Sequence, residues 1–457
     1  MKRMGRGGVA AFFAAAAVIG AASAGWAAGP QLAPGEQVRA SGLTTLILPA
    51  AGPGSAAIEV WVRCPSDGWT STQPGIGELA ADSVMASGAQ GKSVRDLARA
   101  AGGEVSVSVT ETATEFEILA PAAAVPDLAT ALLKAVFGAT VDESGYETAK
   151  TIVAEEQIGA ASSSAELLRQ AAFSSLFGSG PMHDPPSGTA DALKNSILGA
   201  VRAYATQSYI PGSSIAVIVG DVDASAVSAR LDAVSASTSG ATPMLPSPAA
   251  AAAAQPIRLA PAQADLPGVA LAWTGPPISD ERAATAMDFL SDYLADPDAG
   301  VLAAAADQQN ANVNFQGQFV TLQNAGLFFV SADGDGVSPE VMAATLRGSI
   351  AQVAQHALPN DEFARAIGAY ETRLLRQMDS PLGIADNFGW YFAQGAPAYS
   401  PSATDAGLGG EYFAAASSLT PEYVREIAQR YLAAPPSTVY VVPNPVKINV
   451  SSEGRRP

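Results

Sequence analysis

Glu78 and Asp82 stand four residues apart in the stretch Pro74-Gly75-Ile76-Gly77-Glu78-Leu79-Ala80-Ala81-Asp82-Ser83-Val84-Met85-Ala86-Ser87. Apolar and small residues recur there at Ile76, Leu79, Ala80, Ser83, Val84 and Ala86. That spacing predicts a helix carrying both carboxylates on one face, with Ala81 beside them. Two such acids are oxygen donors for a hard cation, whereas the methyl of Ala81 can neither take a proton nor return one. Histidine, the usual companion of hydrolytic chemistry, is nearly absent. His183 lies in Pro181-Met182-His183-Asp184-Pro185 and His356 within Ile350–Leu358; neither has metal-ligand spacing, and both are expected in structural or surface roles. Cys64, the single cysteine, has no histidine near it in sequence and reads as a buried structural thiol. No Ser-His-Asp or Cys-His arrangement has the histidines it needs.

Around this helix the chain is organised as extended segments and helices in alternation. Thr44–Leu48 and Ala57–Val62 read as strands, the second with alternating apolar positions, and Cys64–Gly68 breaks it ahead of the helix. Ser93 caps a short helix to Ala101 that Gly102-Gly103 ends. Glu104–Thr110 and Thr114–Ala120 form a hairpin across Glu111–Ala113, and helices follow at Val125–Phe137 and Ser144–Gln157. From Ser235 to Pro256 the composition turns to Ser, Thr, Gly, Pro and Ala, an interdomain linker.

The second half repeats the first. Val201-Arg202-Ala203-Tyr204-Ala205 aligns without a gap on Val424-Arg425-Glu426-Ile427-Ala428, and at the same offset Ser214–Val219 aligns on Ser437–Val442. A period this long signals a duplicated domain. In the second copy, residues 267–275 read as a strand and Asp280–Ala295 as a helix. Strands follow near Asn312–Thr321 and Gly326–Ala332, then helices at Pro339–Ala357, Asp361–Gln377 and Gly383–Gly395. Phe388, Trp390, Tyr391 and Phe392 in the last of these are expected in the core.

Composition sets outer limits on function. A chain of 457 residues with 48% hydrophobic residues suffices for two or more cores. Lys2, Arg3 and Arg6 precede an apolar run from Val9 to about Ala22, and Ala22-Ser23-Ala24 (or Gly25-Trp26-Ala27) suits cleavage between Ala24 and Ala28. This predicts a signal peptide over 1–24 and export to a periplasmic or extracellular space, with no membrane span left after cleavage. Losing those three cations makes the formal net charge of −18 three units more negative. Such a surface repels nucleic acid and suits basic peptides.

The ordered series over residues 36–235 resembles the pitrilysin/insulinase family, the inverzincin metallopeptidases. The resemblance rests on Gly75-Ile76-Gly77 leading the helix, Gly88–Ser93, and Leu97 to Gly102-Gly103-Glu104. It continues through the Thr-rich hairpin, the helix ending Val153-Ala154-Glu155-Glu156, the loop Leu176–Thr189, and Tyr209–Asp223. It implies an α+β fold: two homologous α/β domains, each a mostly antiparallel sheet packed against helices, in the family's half-molecule arrangement. The implied divisions are a signal peptide at 1–24, an N-terminal domain at 25–235, a linker at 236–256, a C-terminal domain at 257–450 and a tail at 451–457.

In that family two histidines at i and i+4 hold zinc, a glutamate at i+3 activates water, and a distant glutamate completes the ligand set. Carried over by position, these roles fall on Glu78, Asp82, Ala81 and Glu156, so only the last survives in kind. Three carboxylates without an imidazole make a poor catalytic zinc site. No catalytic residue and no cofactor are therefore expected. Glu78, Asp82 and Glu156 remain weak candidates for Mg²⁺ or Ca²⁺, against the reading that they are solvated acids lining a cavity. Between Arg282 and Arg347 there is no lysine or arginine, and the only tyrosine is Tyr293, so the family's substrate-holding arginine and tyrosine are not visible either. The resemblance implies a noncatalytic subunit that pairs with a zinc-bearing catalytic subunit, or with itself, to enclose a chamber and bind peptide. The alternatives are a stand-alone scaffold or peptide-binding protein, and an active metallopeptidase with an atypical site.

Overall fold

The computed structural model describes residues 36–443 apart from 51–53, 65–72, 89–91, 178–181, 234–254, 262, 297–299, 309–311 and 396–414. The expected signal peptide, the tail and nearly all of the linker lie outside the described residues.

The first half runs β1 (Glu36–Val38), β2 (Thr44–Pro49), β3 (Ser55–Arg63), α1 (Ile76–Ala86), α2 (Val94–Ala100), β4 (Glu104–Val109) and β5 (Ala113–Pro121). It continues with α3 (Val125–Gly138), α4 (Glu143–Ser162), α5 (Ser164–Leu176), α6 (Ala190–Lys194), α7 (Leu198–Ser208), β6 (Ser214–Gly220) and α8 (Ala224–Asp232). The second runs β7 (Ile257–Leu259), β8 (Gly268–Thr274), α9 (Glu281–Ala295), α10 (Val301–Gln308), β9 (Val313–Val320) and β10 (Leu327–Gly334). It closes with α11 (Pro339–Gln355), α12 (Asn360–Gln377), α13 (Pro381–Ala393), α14 (Pro421–Leu432) and β11 (Ser437–Val441).

Sheet one has the order β1-β2-β6-β3-β5-β4, and sheet two β7-β11-β8-β10-β9. In each, one strand pair is parallel (β2–β6, β7–β11) and the rest are antiparallel. Leaving out the edge strand β1, the two orders are the same strand for strand. The registers agree as well. Glu59 faces Val217 in sheet one, and Val269 faces Tyr440 in sheet two. Tyr440 is the residue that the sequence repeat aligns with Val217, so Val269 is the counterpart of Glu59.

β3 shows why each sheet needs cover on both sides. Its residues 56–62 are all buried, so both sets of alternating side chains must leave water. Ile58, Val60 and Val62 join Phe116 and Ile118 in a core beneath α1, α3 and α7. Ala57 and Trp61 point the other way, with Val217 and Val219, into a core shared with the second half. The cover on that side comes from α13, which packs on β3 and β6 although it belongs to the second half of the chain. The reverse exchange is made by α5. Sequence order places it in the first half, yet it packs on β8, β10 and β11 of sheet two through Leu168, Ala172, Phe173 and Leu176.

The fit of α13 on sheet one depends on a glycine. A Cβ on Gly389 would stand 2.0 Å from Trp61 Nε1 and 2.1 Å from its Cδ1, so the helix backbone lies directly on the indole. Trp390 meets Trp61 edge-on at 6.2 Å, and Arg63 donates Nε to the Phe392 carbonyl at 2.5 Å. Gly389→Ala is therefore expected to cost about 1–3 kcal/mol by overpacking. The cost is read as a lower denaturant midpoint together with altered near-ultraviolet dichroism from the tryptophan pair. Unchanged stability would mean that α13 is not seated in this way.

Candidate functional site

The helix that carries Glu78 and Asp82 is held from three directions. Gly75, at φ 84°, turns the chain into α1 and packs against the Ser187-Gly188 turn, where a Cβ would lie 2.5 Å from the Ser187 carbonyl oxygen. The Tyr209 hydroxyl, at the end of α7, donates to the Gly77 carbonyl at 3.3 Å. Along the length of α1 lies α4. At Gly145 the two helices touch so closely that a Cβ would come within 2.1 Å of Ser87 Oγ. With the start of α4 at the end of α1, the two run antiparallel, and the residues a few turns later in α4 come over Glu78 and Asp82. The Asp142 cap on the Gly145 amide at 2.7 Å starts α4 at that point.

This arrangement brings Glu78, Asp82 and Glu156 together, with one carboxylate oxygen of each within 4.8 Å of the others. Ala81 is fully buried beside them. The three acids are not a solvated lining. Glu78 is 7% exposed and Asp82 1%, and only Glu156 reaches solvent. Burial is thus the dominant fact about the cluster. It raises the Glu78 carboxyl well above its ordinary range, with Glu156 and Asp82 adding repulsion. Glu156 rises to about 7 through loss of water and the nearby Asp82, against the pull of Arg95. Asp82 also rises by burial, restrained by Arg95.

Arg95, from α2, was not identified as part of this site from the sequence. Its Nη2 is hydrogen-bonded and ion-paired to Asp82 Oδ1. The guanidinium therefore lies on one carboxylate of the pair that α1 carries. The donor set is three oxygen-only side chains with no imidazole, and one of the three is already neutralised by an arginine. It does not fit a catalytic zinc ion. Arg95 is placed by the capping box of α2, in which Ser93 and Asp96 bind each other's backbone N–H.

The second half has a counterpart of this cluster. Shifting α1 by the offset that sets Glu59 on Val269 puts Asp288 and Asp292 of α9 in the places of Glu78 and Asp82. Aligning the starts of α4 and α12 (Glu143 and Asn360) sets Arg373 in the place of Glu156. Arg373 holds both aspartates, Nε to Asp292 at 2.8 Å and Nη2 to Asp288 at 3.4 Å, and Tyr370 donates to Asp288 at 2.8 Å. Both halves thus carry a buried carboxylate pair on the helix after the central strand, and each half answers it with an arginine from a different element. The only signal in the sequence was the repeat of an acid pair at i, i+4, since nothing local marks either arginine.

The remaining sequence candidates are structural. His183 Nδ1 lies 3.1 Å from the carbonyl oxygens of Ser174 and Phe177 and ties down the end of α5. His356 follows the last turn of α11, its backbone N–H bonded to Gln352. Cys64 is buried, its Sγ 3.3 Å from Thr114 Oγ1, and burial raises its thiol. Tyr293 donates to Glu362 at 2.7 Å.

Comparison with known proteins finds likenesses for part of the sequence and for the whole fold. Residues 196–370 match the family described as "Peptidase M16 inactive domain". No curated protein matches the chain in sequence. Among solved structures the chain is similar to a protease from Helicobacter pylori, at 17% identity and a TM-score of 0.79 over 91% of this chain and 100% of that one. It is also similar to a peptidase M16 inactive domain from Pseudomonas fluorescens, at 17% identity, TM-score 0.73, over 90% and 98%. A third likeness is to a chain of complex III2 from Candida albicans, at 11% identity, TM-score 0.74, over 89% and 94%. Residues 196–370 thus match an M16 inactive domain, and the chain has the mixed α/β fold of the solved M16-like proteins, two sheets each packed against helices.

Two outcomes follow from the cluster. Arg95→Ala leaves Asp82 buried without its partner and is expected to destabilise the protein by about 1–3 kcal/mol. Arg95→Ala combined with Asp82→Ala should recover most of that loss, and a double mutant no better than the single one would show the pair to be uncoupled. The second outcome concerns pH. With Glu78 and Glu156 raised, the folded state keeps protons that the unfolded chain has released, so their contribution to stability is full below the ordinary 4.5; that of Glu156 is lost as pH rises through about 7, and that of Glu78 as pH rises through its own raised range. Thermal melts should show stability falling over that window, and falling less in Glu78→Gln. An unchanged slope in the variant would contradict the assignment.

Proposed function

We propose that this chain is a noncatalytic subunit of an exported zinc-peptidase assembly, in which it helps to enclose the chamber and binds peptide substrate. One observation carries the reading: where the resemblance sets the general base stands the buried methyl of Ala81, and the carboxylate of Asp82 is occupied by Arg95. The methyl of Ala81 can neither take a proton from water nor return one to the leaving amine. The match of residues 196–370 to an inactive-domain family and the likeness to a solved protease over nearly the whole chain support it. The acidic composition suits basic or unfolded peptide. Export rests on the basic and apolar pattern of residues 1–24.

In this reading the partner is a separate M16-type chain with an intact H-x-x-E-H, or else a second copy of this chain, and zinc belongs to the catalytic partner. Purified alone, the protein is expected to hold no stoichiometric zinc by elemental analysis and to leave unfolded peptides intact. Purified from its own cells under mild conditions, it is expected to bring down a chain carrying H-x-x-E-H, identified by mass spectrometry. Zinc at one equivalent with peptide cleavage by the isolated chain would overturn the proposal and leave an active peptidase with an atypical site. A second reading, a scaffold with no peptidase role, has the likeness to a chain of a respiratory complex in its favour. Peptide binding by the isolated protein separates the two, since a pure scaffold shows none.

A further inference from the structure

Four other carboxylates meet where the second half covers sheet one. Glu59 lies in β3, Glu115 and Glu117 in β5, and Asp386 on α13. Strand alternation turns Glu59 and Trp61 to the same face, and the register sets Glu59 opposite Glu117 and Trp61 opposite Glu115. α13 reaches that face because Gly389, about one turn beyond Asp386, lies against the Trp61 indole. One oxygen from each of the four lies within 4.8 Å of the other three. That is no farther apart than two ligands on opposite sides of an ion at ~2.4 Å, a calcium–oxygen distance.

Proximity of acids alone would mean little, but two of the buried oxygens, Glu59 Oε1 and Glu115 Oε1, also have no hydrogen-bond partner among the described residues. Glu59 is 0% exposed; its Oε2 accepts from Trp61 Nε1 at 2.8 Å, and its Oε1 is buried with no hydrogen-bond partner among the described residues. Glu115 is 6% exposed, and its Oε1 is buried and unpartnered in the same sense. A hydrogen bond does join Glu115 to Asp386, but between two carboxyls it needs a proton to exist. The arginines that serve buried acids elsewhere are committed: Arg95 to Asp82, Arg169 to Glu111, Arg373 to Asp288 and Asp292. Arg63, on the same face of β3, gives its Nε to the Phe392 carbonyl and its guanidinium plane to the Phe392 ring. Like charges directly opposed across a strand pair are destabilising, and buried unpartnered oxygens more so. In the absence of a cation the cluster must hold protons. Burial raises all four carboxyls, and repulsion from the neighbouring acids adds to the rise in Glu59, Glu115 and Glu117, the last reaching about 7.

We infer that Glu59, Glu115, Glu117 and Asp386 bind one hard divalent cation of the calcium class, which pins α13 to sheet one at a site separate from the motif helix. The donors are all oxygen, and with some carboxylates bidentate they can supply the ~6–8 ligands that calcium takes. Binding the ion displaces the proton shared by Glu115 and Asp386 to solvent, so affinity rises with pH. The ion would join the two halves of the chain, since three of its ligands come from the first half and one from the second.

The test uses the full chain, stripped with a chelator and titrated with calcium, then with manganese and magnesium. Calorimetry is run at neutral and at mildly acidic pH, alongside thermal melts. The expected result is one calcium per chain, weaker binding at the acidic pH, and a higher melting temperature with the ion. Affinity should fall at least about tenfold in Asp386→Asn and in Glu117→Gln, while Glu156→Gln binds as the parent does. Glu117 lies at the half-exposed edge of the cluster, so its variant remains informative if a substitution deeper in the cluster impairs folding. The inference fails if none of the three ions binds saturably, if binding survives both Asp386→Asn and Glu117→Gln, or if it is lost in Glu156→Gln. That last result would place the ion on the motif helix. Peptidase activity and partner capture have no part in the readout, so the result is independent of the proposed function.

Discussion

Burial of both faces of β3 and its neighbours is the constraint on which the rest of the architecture depends. A strand whose residues 56–62 are all buried cannot be covered by its own domain's helices alone, because these lie on one side of the sheet. The other side is closed by α13, and in exchange α5 covers sheet two. The two halves are therefore a single packing problem, with Trp61, Val217 and Phe388 in the same core as Leu271, Phe289 and Phe328. Domain boundaries drawn along the chain describe its duplication, but not which helix protects which sheet.

The same burial governs the chemistry. Acids on α1, on α9 and at the seam between β3, β5 and α13 are removed from water, and each group of them has to be neutralised. On α9 an arginine from α12 does this for both aspartates. On α1 an arginine from α2 does it for Asp82 only, leaving Glu78 to hold a proton. At the seam Arg63 is committed to Phe392, and protons or a cation must serve. Three solutions to one electrostatic problem, in one chain, account for most of its perturbed carboxyls.

On α1 a buried methyl, that of Ala81, stands beside the two acids, and Arg95 supplies a positive charge held on Asp82. The helix keeps its packing against α4 and α7 through Gly145, Ser87 and Tyr209.

The elements themselves were legible in the sequence, because strand and helix periods, caps and glycine stops are local properties. The α1 helix, the β4–β5 hairpin and the alignment of α7–β6 on α14–β11 could all be read directly, as could the acids at Glu78, Asp82 and Glu156 and the alanine between them. Helix α5 carried no reading from the sequence, and its destination on the far sheet could not have been inferred from any pattern. The Glu59, Glu115 and Glu117 alternation was present in the strands, but its meaning depended on a register and on Asp386 from a helix in the other half of the chain. The sequence by itself determined which side chains α1 carries, since residue identity at a helical spacing decides that two carboxylates and a methyl, and no imidazole, share that face. Only the tertiary structure decided what those side chains meet. Charge neutralisation acts across a few ångströms of space, and the partners Arg95, Arg373 and Asp386 are brought into range by packing rather than by position along the chain.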